Sequence, residues 1–464
     1  MDFPAIDSAH FLINDREPMQ TNHDDSTRRA WLKQTLMHSL ALAGASQLRF
    51  PLSARANSAD KTPVETAPTL LLRSGWQTVN IGDIGHSPGI LKLLEVYAPE
   101  FRIILWPNSV DRGVEPMLQQ RFPQLKIVKG RLRRDGKLDS LELEQAFAQA
   151  DFFLHGSGPS VVSRRELAHW SKTTGKPYGI YGVTVSDVTP ELHKLLSGAD
   201  FIYTRETSSL KNLKEAKVTS TEQDFAPDAT FAIDLTDDPK TRAFQKRHQL
   251  EAGKYLCAVP RLRYTPYHKI HKGIRWSKEK IAEVESVNRE YQEKDHAKLR
   301  AAIIKWVRTS GQKVVVCPEM TYQTEIIHPL VIDPLPDDVK AQVVAHDEYW
   351  LPDEAGSLYR DAAAVVSMEC HSPIIACAHG TPGLYVRQPT DTIKGQMWYD
   401  IGLADWTFEI DEVNQQQIAD RTIAVYKHYD QSLEKLKTVM KSIQARQKRT
   451  MQVVRQAVLQ AHSS

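Results

Sequence analysis

Asp83 and His371 are the residues whose types and settings best suit proton transfer, and each lies in a short polar cluster beside an apolar run. Asp83 belongs to Asn80-Ile81-Gly82-Asp83-Ile84-Gly85, with Ser87-Pro88-Gly89 close behind. Glycine permits close backbone approach, and a helix starting here offers free N–H groups to an anion. Asn80 and Gly82 are therefore candidate binding positions, and Asp83 a candidate base. The same residues would also serve a helix-entry turn in which Asn and Asp only cap. His371, in Ser367-Met368-Glu369-Cys370-His371-Ser372, stands at an expected helix start and suits a general acid or anion partner. A single histidine is also commonly a structural residue.

Other clusters suit an anionic ligand. His155-Gly156-Ser157-Gly158-Pro159-Ser160 is a Gly/Ser loop of the kind that cradles phosphate, with Ser157 in its middle. Arg205, in Tyr203-Thr204-Arg205-Glu206, has a guanidinium fork that matches a carboxylate or phosphate; its plainer reading is a surface salt bridge to Glu206 or a neighbour. Arg261 and Arg263 close a strand-like run and are expected to face a cleft. Pro227-Asp228 reads as a turn, and Lys394-Gly395 precedes Trp398 and Gly402-Leu403. Glu369, ahead of Gly380-Thr381-Pro382, would accept from ribose hydroxyls if the ligand were a nucleotide sugar.

These clusters need a scaffold that brings loops together, and the sequence supplies one. From residue 69 onward apolar strand-like runs alternate with helix-like stretches: FRIILW at 101–106, Val114–Phe122, Leu125–Val128, Leu141–Ala150, DFFL at 151–154, KPYGIY at 176–181 and ADFIY at 199–203. After a polar interruption at Leu235–Thr241 the alternation restarts with YLCAV at 255–259, a helix over Lys298–Thr309, then KVVVC, AAVVS and GLYV. Such alternation predicts α/β architecture with two doubly wound Rossmann-like domains in tandem, a GT-B-like arrangement whose ligand cleft lies between the domains. The expected bounds are 69–236 and 242–425, with a long C-terminal helix in 426–464.

At 464 residues the chain exceeds a single core, which fits two domains. A net charge of +2 argues against nucleic acid held by a bulk positive field. The four cysteines show no CxxC spacing, so neither a zinc site nor a disulfide framework is indicated. Near the start, Arg28-Arg29-Ala30-Trp31-Leu32-Lys33, a short apolar stretch from Leu36 to Leu48, and Ala54-Arg55-Ala56 form the basic, apolar and cleavage regions of an export signal. The arginine pair resembles the twin-arginine class. Residues 1–56 are thus expected to be removed, 57–68 to be a linker, and the mature chain to be periplasmic. The apolar stretch is shorter than the roughly 20 residues of a membrane span, and no other segment approaches one.

In order along the chain, Asn80-Ile81-Gly82-Asp83, the Gly/Ser loop at 156–160, Lys176-Pro177, Arg205-Glu206-x-Ser208, Pro227-Asp228, His371-Ser372, Gly380-x-Pro382 and Lys394 with Gly402-Leu403 resemble the polysaccharide pyruvyl transferase family over about 75–410. The resemblance implies transfer of the enolpyruvyl group of phosphoenolpyruvate to sugar hydroxyls of a polysaccharide, giving a pyruvate ketal. Arg205 and His371 would then bind the donor's phosphate or carboxylate, Asp83 would lie near the acceptor hydroxyl, and no metal or cofactor is implied. One departure stands out. The family carries Arg-Leu-His where this chain has Glu369-Cys370-His371, so a negative group replaces a positive one unless Arg261 or Arg263 compensates. A further tension is that phosphoenolpyruvate is cytoplasmic, whereas the signal directs the chain outward. A nucleotide-sugar glycosyltransferase and a non-catalytic exported glycan-binding protein are the competing expectations.

Overall fold

In the computed structural model, which describes residues 67–75, 77–271 and 274–464, two parallel sheets are built from the expected apolar runs. The first has seven strands in the order β3-β2-β1-β4-β5-β6-β7. They are β1 (Thr69–Arg73), β2 (Arg102–Leu105), β3 (Lys126–Ile127), β4 (Phe152–His155), β5 (Tyr178–Val183), β6 (Phe201–Thr204) and β7 (Glu222–Phe225). The second has six in the order β10-β9-β8-β11-β12-β13. Its strands are β8 (Tyr255–Val259), β9 (Lys313–Val316), β10 (Val343–Ala345), β11 (Ala364–Ser367), β12 (Gly383–Arg387) and β13 (Thr407–Glu409). Leu71 pairs with Phe153, and Cys257 with Val365. The central strands β1, β4, β8 and β11 are buried along their whole length, because helices cover both faces of each sheet; this is why they read as unbroken apolar runs.

Strand order reverses between β1 and β4 in the first sheet and between β8 and β11 in the second. In open α/β sheets the loops beyond those points hold ligands. The helices that matter here are α1 (Ile81–Tyr97), α2 (Lys278–Ser310), α3 (His371–Ala378), α4 (Gln415–Lys427) and α5 (Tyr429–Ser463). Helix α2 begins twenty residues before the expected Lys298, and β7, β10 and β13 were not expected at all.

The two domains are joined across the cleft by backbone. Asn80 and Met320 form an antiparallel bridge, Ile81 N–H donates to Glu319 O at 3.0 Å, and Thr321 N–H donates to Val79 O at 3.0 Å. On another side of the interface, Asp400 accepts from Thr207 N–H (2.7 Å) and Oγ1 (2.8 Å).

Helix α5 then carries the chain from the second domain back to the first. Its early residues Leu436, Val439 and Ile443 enter the second domain's core. Its later residues Met451, Val454 and Val458 join the core that contains Leu70, Leu72 and Phe152. Thr450 hydrogen-bonds Tyr181 at 3.0 Å, and Arg446 Nη1 donates to Phe225 O at 3.1 Å. Among the described residues no helix is long and apolar enough to cross a membrane. The export-signal reading of 1–56 lies outside the described residues.

Candidate functional site

Loops from both switch points converge on one buried cluster. The Asn80 side chain caps α1, accepting from Gly82 N–H (2.6 Å) and Asp83 N–H (3.2 Å), which satisfies donors a helix start leaves free. Gly82 is there for close approach: a Cβ would lie 2.2 Å from His371 Cγ, so an imidazole from the second domain rests on the first turn of a helix from the first.

Asp228 is the centre of the cluster, although its sequence setting pointed only to a turn. It is fully buried. Its Oδ1 accepts from Ser157 Oγ (2.8 Å) and Thr230 N–H (3.0 Å) and meets His86 Nδ1 at 3.0 Å. Its Oδ2 accepts from Arg205 Nη1 at 2.9 Å. Burial by itself would raise the Asp228 pKa, but His86, His371 and Arg205 outweigh it and hold the carboxylate well below its usual range. Ser157 and Arg205, both expected at an anion site, thus meet on one carboxylate. Arg205 is 1% exposed, so it is not the surface residue of its plainer reading. Its Nε donates to Thr184 Oγ1 at 2.7 Å, and its Nη2 has no hydrogen-bond partner.

His371 sits between two acids. Nδ1 is 3.4 Å from Glu319 Oε1, and Nε2 is 3.8 Å from Asp228 Oδ2, beyond hydrogen-bond length. Its ring meets that of His86 edge to face, with centroids 5.0 Å apart. Burial works against the imidazolium, yet Asp228 and Glu319 push the His371 pKa up to about 10. His86 goes the other way, because burial outweighs Asp228 and lowers it. His371 is thus the imidazole held charged, while burial pushes His86 toward its neutral form. Asp83 lies on the other side of His86, with Oδ1 3.9 Å from His86 Nε2 and Oδ2 accepting from Gln77 Nε2.

The second domain supplies a further wall. Arg261 Nη1 donates to Asp391 Oδ1, Lys394 Nζ stands 3.3 Å from the same oxygen, and Tyr385 OH donates to Asp391 Oδ2 at 2.5 Å. Glu369 Oε1 accepts from Gln323 Nε2 at 2.8 Å and lies 3.5 Å from Arg261 Nε. Burial raises Glu369 to about 8; Arg261 opposes this, and neighbouring Glu319 adds to it. The charge reversal expected from the Glu-for-Arg departure is therefore largely absent at pH 7, where a protonated Glu369 is a hydrogen-bond donor. Arg263 is a correction. It does not face this cluster: it is chelated by Asp295 (2.7 and 2.9 Å) and Asp411 and stacks on Tyr291. The expectation that both arginines face the cleft therefore fails for Arg263, because Asp295 and Asp411 hold its guanidinium elsewhere.

His86, Asp228 and His371 offer ligand atoms within 4.8 Å of one another, which is metal-site spacing. Arg205 already pairs with Asp228 at 2.9 Å, so a cation placed among the three would compete with its guanidinium for the carboxylate. Asp228, Glu319, Asp391 and His86 were not expected as site residues. The sequence signal for three of them was position: Asp228, Glu319 and Asp391 each follow a strand at its carboxyl end.

A family model described as polysaccharide pyruvyl transferase matches residues 80–388. No curated protein matches the chain. Among solved structures it is similar to the S. aureus MnaA–UDP co-structure (13% identity, 80% of this chain and 90% of that one, TM-score 0.49). It is likewise similar to E. coli ADP-heptose LPS heptosyltransferase II (11%, 78% and 99%, TM-score 0.44) and to Anabaena Alr3699/HepE in complex with UDP and glucose (10%, 85% and 98%, TM-score 0.45). The family match runs from the Asn80 cap to the end of β12, just short of Asp391 and Lys394, and on it the chain belongs to the polysaccharide pyruvyl transferase family.

Proposed function

We propose that the cluster binds an anionic enol donor, phosphoenolpyruvate, and transfers its pyruvyl group to a pair of hydroxyls on an envelope polysaccharide. The observation that carries this reading is a set of buried cationic donors left without hydrogen bonds: Arg205 Nη2, Arg261 Nε and His371 Nε2. Leaving a buried polar group unsatisfied costs about 1–3 kcal/mol, more when it is charged. Three such donors, contributed by loops of both domains, fit a ligand with a phosphate and a carboxylate.

The chemistry balances with these residues. One acceptor hydroxyl adds its oxygen to C2 of the enol, losing its proton to Asp83 while His371 Nε2 delivers a proton to the methylene carbon. The second hydroxyl then attacks C2 and gives its proton to the now neutral His371, while the C2–O bond to phosphate breaks and Asp83 returns its proton to the departing phosphate, giving a cyclic ketal and inorganic phosphate with both residues restored. A charged His371 is poised as the acid. Glu369, protonated, adds a donor beside Arg261 in place of a fixed charge.

The test is calorimetry of the chain from Asn57 onward with phosphoenolpyruvate, together with phosphate release in the presence of envelope glycans. Lys394→Ala is the control, because Asp391 keeps Arg261, Tyr385 and Gln388 N–H as partners. Binding weakened at least tenfold in the variant supports the reading. Absence of both binding and phosphate release sinks it, and a saturable response to nucleotide sugars would point to glycosyl transfer instead.

Export is part of the proposal. A chain outside the cytoplasm meets no phosphoenolpyruvate pool, so localisation decides between this donor and another small anion of the same chemistry.

A further inference from the structure

We propose that Glu319 is the positioning residue of this site, holding the His371 ring so that Nδ1 faces the Glu319 carboxylate and Nε2 is left for the ligand. The inference rests on the reading of His371 as the proton donor, but its test does not require that reading.

Glu319 lies in the loop after β9 and is 0% exposed. Its Oε2 is fixed by two donors from the first turn of α3, Ser372 N–H at 2.6 Å and Ser372 Oγ at 2.7 Å. Ser372 Oγ in turn accepts from Tyr359 OH at 3.2 Å. With Oε2 occupied, Oε1 is the oxygen that faces His371 Nδ1, at ion-pair distance and with no hydrogen-bond partner.

The backbone of the same residue is held just as firmly. Gln323 Oε1 accepts from Glu319 N–H (2.6 Å) and Met320 N–H (3.0 Å), and Glu319 O accepts from Ile81 N–H of α1. One residue therefore ties the β9 loop, the start of α3 and the start of α1 around a single imidazole. Held this way, the ring turns Nε2 toward Asp228 Oδ2, 3.8 Å away, with the first turn of α1 lying against it at Gly82. A carboxylate that orients an imidazole and favours its charged form is the arrangement general acid–base catalysis requires.

The charged and titratable groups around His371 come from every neighbouring element: His86 and Asp83 on α1, Asp228 from the segment after β7 with Arg205 behind it, Glu319 after β9, and Glu369 and Cys370 on its own loop, with Lys394 beyond. Asp228 is shared with Ser157, Thr230, His86 and Arg205, whereas Glu319 Oε1 is directed to His371 alone.

The experiment is a histidine-selective ¹⁵N NMR titration of the protein without any ligand, with the His371 signals assigned by their loss in His371→Gln. In Glu319→Gln, which keeps the shape and the Ser372 contacts but removes the charge, the His371 pKa is expected to fall by at least one pH unit. If a folded Glu319→Gln leaves it unchanged, the proposal is wrong. Should that variant not fold, Ser372→Ala gives a second reading, since it removes one of the two donors that fix Oε2 while keeping the charge. The Nδ1–H resonance of His371 is then expected to broaden through faster exchange, and an unaltered resonance overturns the proposal. Loss of phosphoenolpyruvate binding with the NMR result intact would count against the donor assignment and leave Glu319 in its role.

Discussion

Glu369→Gln should stabilise the protein, and by an amount that grows with pH. The wild-type carboxyl is held protonated to about pH 8 by burial and by Glu319, whereas in the unfolded chain it ionises near 4.5. Folding therefore retains a proton that unfolding releases between those values, and stability falls as pH rises through that window. At about 1.4 kcal/mol per pH unit the whole window is worth roughly 5 kcal/mol as an upper figure. Glutamine keeps the acceptor for Gln323 Nε2, places an N–H where the acid proton sat, and has nothing to titrate. His371 also loses its favourable contribution as pH rises from 6.5 toward about 10, but that term is common to both proteins and cancels in the difference. The assay is urea unfolding followed by tryptophan fluorescence at pH 5, 6, 7 and 8. The two proteins should nearly coincide at pH 5 and diverge to several kcal/mol at pH 8. A difference that stays flat, or a variant less stable than wild type at pH 8, would refute the reasoning. It would mean that Glu369 is ionised and forms an ordinary ion pair with Arg261.

Gly82→Ala should destabilise by about 1–3 kcal/mol or more, because its Cβ would overlap the His371 ring; thermal unfolding checks this, and an unchanged midpoint would mean the interface yields freely. Deleting residues 429–464 should prevent folding. It removes Leu436, Val439, Ile443, Met451, Val454 and Val458 from two cores, and at about 1.5–3 kcal/mol each the loss is comparable with a domain's whole stability. Soluble truncated protein with a native circular dichroism spectrum would contradict it. Replacing Arg28 and Arg29 by Lys should hold the chain in the cytoplasm, and periplasmic recovery of that variant in cell fractionation would remove the export proposal.

The central strands were legible because burial on both faces leaves nothing but apolar side chains, as in Leu70–Leu72 and Tyr255–Val259. The edges were not. β7 (Glu222–Phe225) has three partly or fully exposed residues, and β10 and β13 are three residues each, too short for a period to show. The first half of α2 is mostly solvated and densely charged, so its apolar stripe becomes visible only from Leu299, Ile303 and Trp306 onward. In the site, Asp83, Arg205 and His371 could be read because their types suggest chemistry in isolation. Asp228 and Glu319 could not: their importance comes from partners 142 residues (His86) and 53 residues (Ser372) away in sequence. Arg263 misled for the complementary reason, since its partners Asp295 and Asp411 lie 32 and 148 residues downstream.

The return of α5 to the first domain bears on when the protein can fold. Tyr181 waits for Thr450, 269 residues later, and Glu100 for Arg455, 355 residues later. A ribosome emitting about 5–20 residues per second will have finished the strands of the first sheet long before the helix that covers its core exists. Until that helix has been made, the apolar surface destined for Met451, Val454 and Val458 is exposed to whatever else is near. The first domain is thus the earliest to be made, yet its core closes only after the whole second domain and α5 have followed it off the ribosome.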